Sequence, residues 1–391
     1  MTDPVAAPTG QAAAVPTGQG GAAVPTGQAA FDPSGQTMAA AVFHGGTDIR
    51  ITRVPVPAVE PDEVLVEVVA AGICGSDLLA YRGLGPWQHD PAHPDGDGHE
   101  LSGRIAALGA AVAGFAVGDR VAVEPIHLLS CGHCALCRAG RGYLCAERGT
   151  RHGVPVHSRG FAEYDVAPAS QLHPLPDHVG LAEAALLDCY ACGVHALHLV
   201  ALPPGAPVAV LGSGAIGQTL GQVARAAGHP VSLLGHRAAT LDVALGAGAA
   251  STVWDTSTAA GRRARDGAAG TFPVVFDAAG SRDSLTESLG LVTPGGEVVV
   301  LGVHPGTPSL DPHLAYRREV TLRWSNSYGA CLGGVPDFRR ARDLLAAGTV
   351  DAAALITHSL PLARLPDGFR TLADRGAGAV KVMITPGGGR A

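Results

Sequence analysis

The chain has 391 residues, enough for two domains that each bury most of their apolar surface, and its 34 acidic against 27 basic residues give a formal net charge of -7. That balance disfavours nucleic acid or an anionic membrane as the main partner, because both attract clustered Lys and Arg, and it points to a small molecule. No window approaches the about 18 uninterrupted apolar residues needed to span a bilayer, and the N-terminus lacks a basic region followed by an apolar core, so the chain reads as cytoplasmic.

In chain order, the first segment is a repeat. PTGQ recurs at Pro8–Gln11, Pro16–Gln19 and Pro25–Gln28, followed by PSGQ at Pro33–Gln36. Sequence of this kind cannot bury enough apolar surface to offset its ordering entropy, so residues 1–37 read as a disordered tail. From Met38 the character changes. AAVFH, the alternating EVLVEVVAAGI (Glu63–Ile73), GRIAALG and DRVAVEP (Asp119–Pro125) predict short strands of a mainly antiparallel β domain over 38–180. Near Leu181 the periodicity becomes helical. Beyond Pro207 the strands VAVLG, VSLLG, VVFDAAG and EVVVLGV alternate with helical stretches, the pattern of a parallel, doubly wound sheet over 181–324. A helix at Asp337–Ala347 and the strand AVKVMITP place 325–391 back in the first domain, which makes the α/β unit an insertion.

Three constellations carry chemistry. Cys131, Cys134, Cys137 and Cys145 are spaced C-x2-C-x2-C-x7-C. Four thiolates at that density satisfy tetrahedral zinc with no open position, so the site is expected to be structural; free or disulfide-bonded cysteines are the competing reading, and CxxCxxC spacing strains disulfides. A second set is dispersed: Cys74 in GICGSD, His99 and Glu100 in GDGHELSG, and Asp188 in ALLDCYACGVHAL. Thiolate, imidazole and carboxylate are ligand types that permit a catalytic zinc with one position left for water or substrate, although each residue taken alone is weak evidence.

The third is VAVLGSGAIG, where Gly212, Gly214 and Gly217 form G-x-G-x-x-G after a strand and open a helix through Ala215 and Ile216. The glycines permit a tight turn and close approach of a dinucleotide pyrophosphate, and the helix N-terminus supplies amides. At the end of the next strand, where an NAD enzyme carries an acid for the ribose hydroxyls, stand Gly235, His236 and Arg237. A carboxylate there would repel a ribose phosphate, whereas Arg237 can pair with one, which argues for NADP. An exposed basic pair without a ligand is the alternative. Gly302 and Val303, closing EVVVLGV, complete the expected cofactor-binding set.

With these pieces in order, Met38 to Pro386 resembles the zinc-dependent medium-chain dehydrogenase/reductase family, through GICGSD, GHELSG, the four-cysteine loop, GFAEY (Gly160–Tyr164), GVHAL and GSGAIG. The resemblance implies a GroES-like catalytic domain, an inserted Rossmann domain, an active site in the cleft between them, and a dimer or tetramer built through the Rossmann domain. It implies zinc ligation by Cys74 and His99, with Glu100 ligating or flanking the metal and Asp188 at the position of a further ligand, where Cys189 competes. Ser76 matches the hydroxyl that hands the alcohol proton toward solvent, while Leu79 replaces the expected relay histidine. CGSDLLAYRG looks more like sugar, cyclitol and aminocyclitol dehydrogenases than ethanol-type enzymes. The expected reaction is hydride transfer between a secondary alcohol and NADP, with zinc polarising the substrate oxygen. The alternatives are an NAD-dependent simple alcohol or threonine-type dehydrogenase, a zinc-independent reductase of the same superfamily, and a catalytically silent NADP-binding protein.

Overall fold

The computed structural model describes residues 33, 35–85, 88–125, 130–147, 150–151, 154–155, 159–329, 331–332 and 334–387. The PTGQ repeats and nearly all of the tail lie outside the described residues.

Glu63–Gly72 is the hub of a seven-stranded sheet. It pairs antiparallel with Glu100–Leu108, with Tyr164–Pro168 and, near its end, with Lys381–Thr385. Arg120–Val123, Leu172–Pro174 and Ile356–Pro361 complete the sheet, the last as a parallel edge beside Lys381–Thr385. The alternation read in EVLVEVVAAG is visible as an exposed Glu67 between buried Val66 and Val68. Branched side chains pack on the pleat while the glutamate keeps its charge in water. Phe43, Phe161 and Phe369 close the core beneath, their rings about 6 Å apart.

The second sheet has six parallel strands in the order Thr252–Asp255, Val231–Gly235, Val208–Leu211, Phe272–Asp277, Val292–Val300 and Thr321–Trp324. That is the doubly wound order, and it reverses between Val208–Leu211 and Phe272–Asp277, which opens a ligand crevice at their C-terminal ends. Helices on both faces explain why VAVL is buried at every position. In sequence this sheet lies between strands of the first, so the α/β unit is an insertion.

The helices Leu187–His198 and Asp337–Ala346 were expected to belong to different domains. They pack on one another, and one apolar cluster joins Tyr190 and Val194 to Phe338 and Ala341, to Val223 and Ala247 of the inserted unit, and to Ala70 and Met383 of the first sheet. The chain therefore crosses between the two sheets through shared core. Among the described residues no helix is long and apolar enough to cross a membrane.

Candidate active site and metal centres

Strand Glu63–Gly72 ends two residues before Cys74, which caps the short helix Gly75–Tyr81. Asp77, in the first turn, accepts from the Cys74 amide (2.9 Å) and lies 3.4 Å from the Ser76 hydroxyl. Its other neighbour is His99, whose Nδ1 stands 3.4 Å from Asp77 Oδ1. One carboxylate thus ties the loop carrying Cys74 to the segment carrying His99. Burial pushes the Asp77 carboxyl up to about 7, against the pull of His99. Burial also opposes protonation of His99, but Asp77 and Cys74 outweigh it and raise its pKa well above the ordinary value.

Glu100 follows His99 at the start of the paired strand, opposite Gly72 in register. A Cβ on Gly72 would come within 2.1 Å of Glu100 Oε2, so the glycine makes room for this carboxylate. Glu100 is wholly buried and receives a hydrogen bond from Lys381 Nζ (2.7 Å to Oε1) and one from the Cys189 thiol (3.2 Å). Burial alone would raise the Glu100 carboxyl; Lys381 first, then His99, hold it below its usual range. Cys189 is pushed far up by burial and stays a thiol. Asp188 is also raised by burial and accepts from the Tyr328 hydroxyl at 2.5 Å.

The ligand atoms of Cys74, His99 and Glu100 lie within 4.8 Å of one another, and those of Glu100, Asp188 and Cys189 do the same. Asp188 and Cys189 thus reach the first set through Glu100. Soft, borderline and hard donors on one small volume fit an open zinc site.

Sequence reasoning missed Asp77, Lys381 and Tyr328. Asp77 lies inside the quoted GICGSD, at the N3 position where a carboxylate reaches back to a helix cap, and was legible there. Lys381 is a lone cation in the otherwise apolar KVMIT, a mild signal of a buried partner. Tyr328 lies in SNSYG, which carries no such mark.

In the four-cysteine lobe all four sulfurs lie within 4.8 Å of one another. Cys134–Cys137 and Cys131–Cys137 separations are 3.5 and 3.8 Å, too long for a disulfide and close to the about 3.8 Å edge of a tetrahedron with 2.3 Å zinc–sulfur bonds. The amides of Cys134, Cys137 and Glu147 donate to the sulfurs of Cys131, Cys134 and Cys145. The Ser130 hydroxyl, first among several donors, brings the Cys137 thiol down to about 6. The donor set fits a closed zinc site.

The glycine-rich turn lies at the switch point of the parallel sheet. Gly212 has φ +106, Gly214 caps helix Ala215–Ala226, whose first residues are Ala215 and Ile216, and a Cβ on Gly217 would lie 1.9 Å from the Gly212 carbonyl. Gly235 ends the next strand, and a Cβ there would meet Ser213 Oγ at 2.5 Å. Glycine at 235 therefore has a steric cause beside the missing charge. His236 is exposed, and half-buried Arg237 caps helix Ala238–Gly246 and donates to the Ala379 carbonyl (3.4 Å). Gly302 donates its amide to Asp277 O, and Val303 beside it is exposed. All of these positions gather at the C-terminal ends of the parallel strands.

Two family models match the chain: the alcohol dehydrogenase GroES-like domain over residues 60–177 and the zinc-binding dehydrogenase over 215–347. The chain is 31% identical over 364 residues to the sorbitol dehydrogenase of Bacillus subtilis (strain 168), covering 89% of this chain and 97% of that protein. The chain belongs to the zinc-dependent medium-chain alcohol dehydrogenase family. As a member, it is an enzyme that uses zinc and a nicotinamide cofactor. It is similar to a putative zinc-binding dehydrogenase from Sinorhizobium meliloti 1021 bound to NADP (31% identity, TM-score 0.77), covering 90% of this chain and all of that one. With the same coverage and TM-score it is 27% identical to a structure from Escherichia coli CFT073, described as a short chain alcohol dehydrogenase complexed with cofactor NADH.

Proposed function

We propose that this dehydrogenase interconverts a secondary alcohol of the polyol, sugar, cyclitol or aminocyclitol class with its ketone, using NADP. The observation that carries the reading is the convergence of Cys74, His99 and Glu100 on one small volume. The sorbitol dehydrogenase relative supports the polyol class. Solved relatives hold NADP in one case and NADH in another, so the cofactor choice rests on Gly235, His236 and Arg237.

In this reading Cys74 and His99 hold the catalytic metal, Glu100 lies against it, and Asp188 supplies the remaining protein contact, directly or through water. The four-cysteine lobe holds a second, structural ion. Bound zinc supplies Lewis acidity toward the substrate oxygen, and the nicotinamide supplies the hydride acceptor or donor. Asp77 orients His99 through Nδ1, leaving the other ring nitrogen for the metal. Ser76 takes the alcohol proton, and Asp77, 3.4 Å away, is its neighbouring acceptor in place of the histidine that Leu79 replaces. Lys381 keeps the buried Glu100 ionised. A Cys189 sulfur found within about 2.3 Å of the metal, with Asp188 turned away, would overturn the assignment of Asp188.

Cysteines gathered at metal-ligand spacing support a reducing, cytoplasmic setting. The open edge strand Thr321–Trp324, with Trp324 exposed, supports a homo-oligomer built through the cofactor domain. Initial rates on a panel of polyols, cyclitols and aminocyclitols with NADP and with NAD test the reading. Turnover of these substrates with NADP at ten or more times the efficiency seen with NAD is expected. Activity confined to simple primary alcohols, or equal efficiency with NAD, would sink it.

A further inference from the structure

The strand end that carries His236 and Arg237 is met from outside the inserted unit. The turn Arg375–Ala377 leads into Gly378 and Ala379, which meet the start of helix Ala238–Gly246 on the way to the strand Lys381–Thr385 of the first sheet. Gly378 has φ +65, and a Cβ placed on it would stand 3.0 Å from that of Ala239. Arg237 Nη1 donates to the Ala379 carbonyl at 3.4 Å, which holds the guanidinium against the segment that follows the turn. Arg375 is exposed and lies close enough to repel both Arg237 and His236. Among the described residues no carboxylate forms an ion pair with either arginine. The acid that acts on His236 is Asp255, whose Oδ1 accepts from the amide and hydroxyl of Ser257 (2.9 and 2.6 Å).

Two guanidinium groups beside an imidazole, neither arginine ion-paired to a carboxylate among the described residues, are unfavourable until an anion joins them. A phosphomonoester dianion suits this arrangement, because Arg presents several donors in a planar fork. We infer that Arg375, from the C-terminal turn, is a specificity-determining residue that closes with Arg237 on the 2′-phosphate of the cofactor. The inference rests on the NADP reading above and extends it to a residue 138 positions further along the chain, outside the nucleotide-binding motif. Cofactor choice in this protein is then shared between the inserted unit and the segment that returns to the first sheet.

The test uses the full-length protein with adenosine 2′,5′-bisphosphate and 5′-AMP as probes, measured by calorimetry, so that no turnover is required. Wild type is expected to bind the bisphosphate at least tenfold tighter than 5′-AMP. Arg375→Ala should lose about tenfold for the bisphosphate, since an exposed charge-assisted contact is discounted by solvent, and nothing for 5′-AMP. Arg375→Lys should restore part of the loss, and the Arg237→Ala/Arg375→Ala double variant should bind both probes alike. Because Arg375 is exposed, the melting temperature should not move, which separates lost recognition from lost folding. Undiminished bisphosphate selectivity in Arg375→Ala, with wild type selective, overturns the role of Arg375 and leaves the NADP reading standing. Equal binding of the two probes by wild type overturns both.

Discussion

The two cysteine-bearing clusters are built in opposite ways. The lobe takes all its sulfurs from one short stretch, Cys131–Cys145, and three of the four are only partly buried. The other draws Cys74 from a helix cap, His99 and Glu100 from a strand start, Asp188 from a helix in shared core, and Lys381 from a strand near the C-terminus. In the lobe, local backbone amides shape the site and little apolar packing stands behind it. In the dispersed cluster, burial makes an uncompensated charge costly, so the carboxylates Glu100 and Asp188 are matched by Lys381 and Tyr328 from distant parts of the chain. A closed local site serves stability; an open site assembled from the tertiary fold can be tuned for chemistry.

The sharpest way to break this comparison is to remove one ligand from each cluster. Cys134→Ser should lower zinc content from about two to about one per chain and the melting temperature by roughly 10 °C, because structural zinc binding is coupled to folding. Elemental analysis with calorimetry checks it, and unchanged melting would end the structural assignment. Cys74→Ser should leave melting nearly unchanged while turnover falls about thousandfold, equivalent to about 4 kcal/mol of transition-state stabilisation.

A third variant probes the dispersed design itself. Lys381→Met strands a buried Glu100 charge and should cost about 3 kcal/mol in denaturant unfolding, with Glu100→Gln in the same chain recovering much of it. Additive effects would show that the pair is not the tie it is taken for.

The smallest effect concerns pH in metal-stripped protein, where the clusters should respond with opposite sign. Asp77 has a folded pKa of about 7, above its unfolded value, so its contribution is present below about pH 4 and lost as pH rises to 7. A shift of roughly three units caps this at about 4 kcal/mol, and relaxation should leave about 2 kcal/mol. Cys137, brought down to about 6 from 9.0, contributes stability above pH 9 that is lost as pH falls through 6. Unfolding at pH 5, 7 and 9 of wild type, Asp77→Asn and Cys137→Ser separates the two; an Asp77→Asn variant with the wild-type profile would show that the carboxyl is not buried as described.

The parallel sheet, its glycine turn and the four-cysteine lobe were legible because each is written at short range. Strand and helix periodicity decides which face is buried, glycines mark where backbone must approach backbone, and thiol spacing sets which metal geometry is reachable. Cys74, His99 and Glu100 could be named from their motifs, but their common volume could not, since it depends on strands Glu63–Gly72 and Glu100–Leu108 pairing in one register. The fold alone decided that Lys381 neutralises Glu100, that Tyr328 holds Asp188, that Ser213 crowds Gly235, and that Arg237 reaches the Ala379 carbonyl. Each joins residues distant in sequence, and neither propensity nor spacing encodes which distant side chain arrives; packing selects it, by requiring that a buried charge or an occupied volume find its complement.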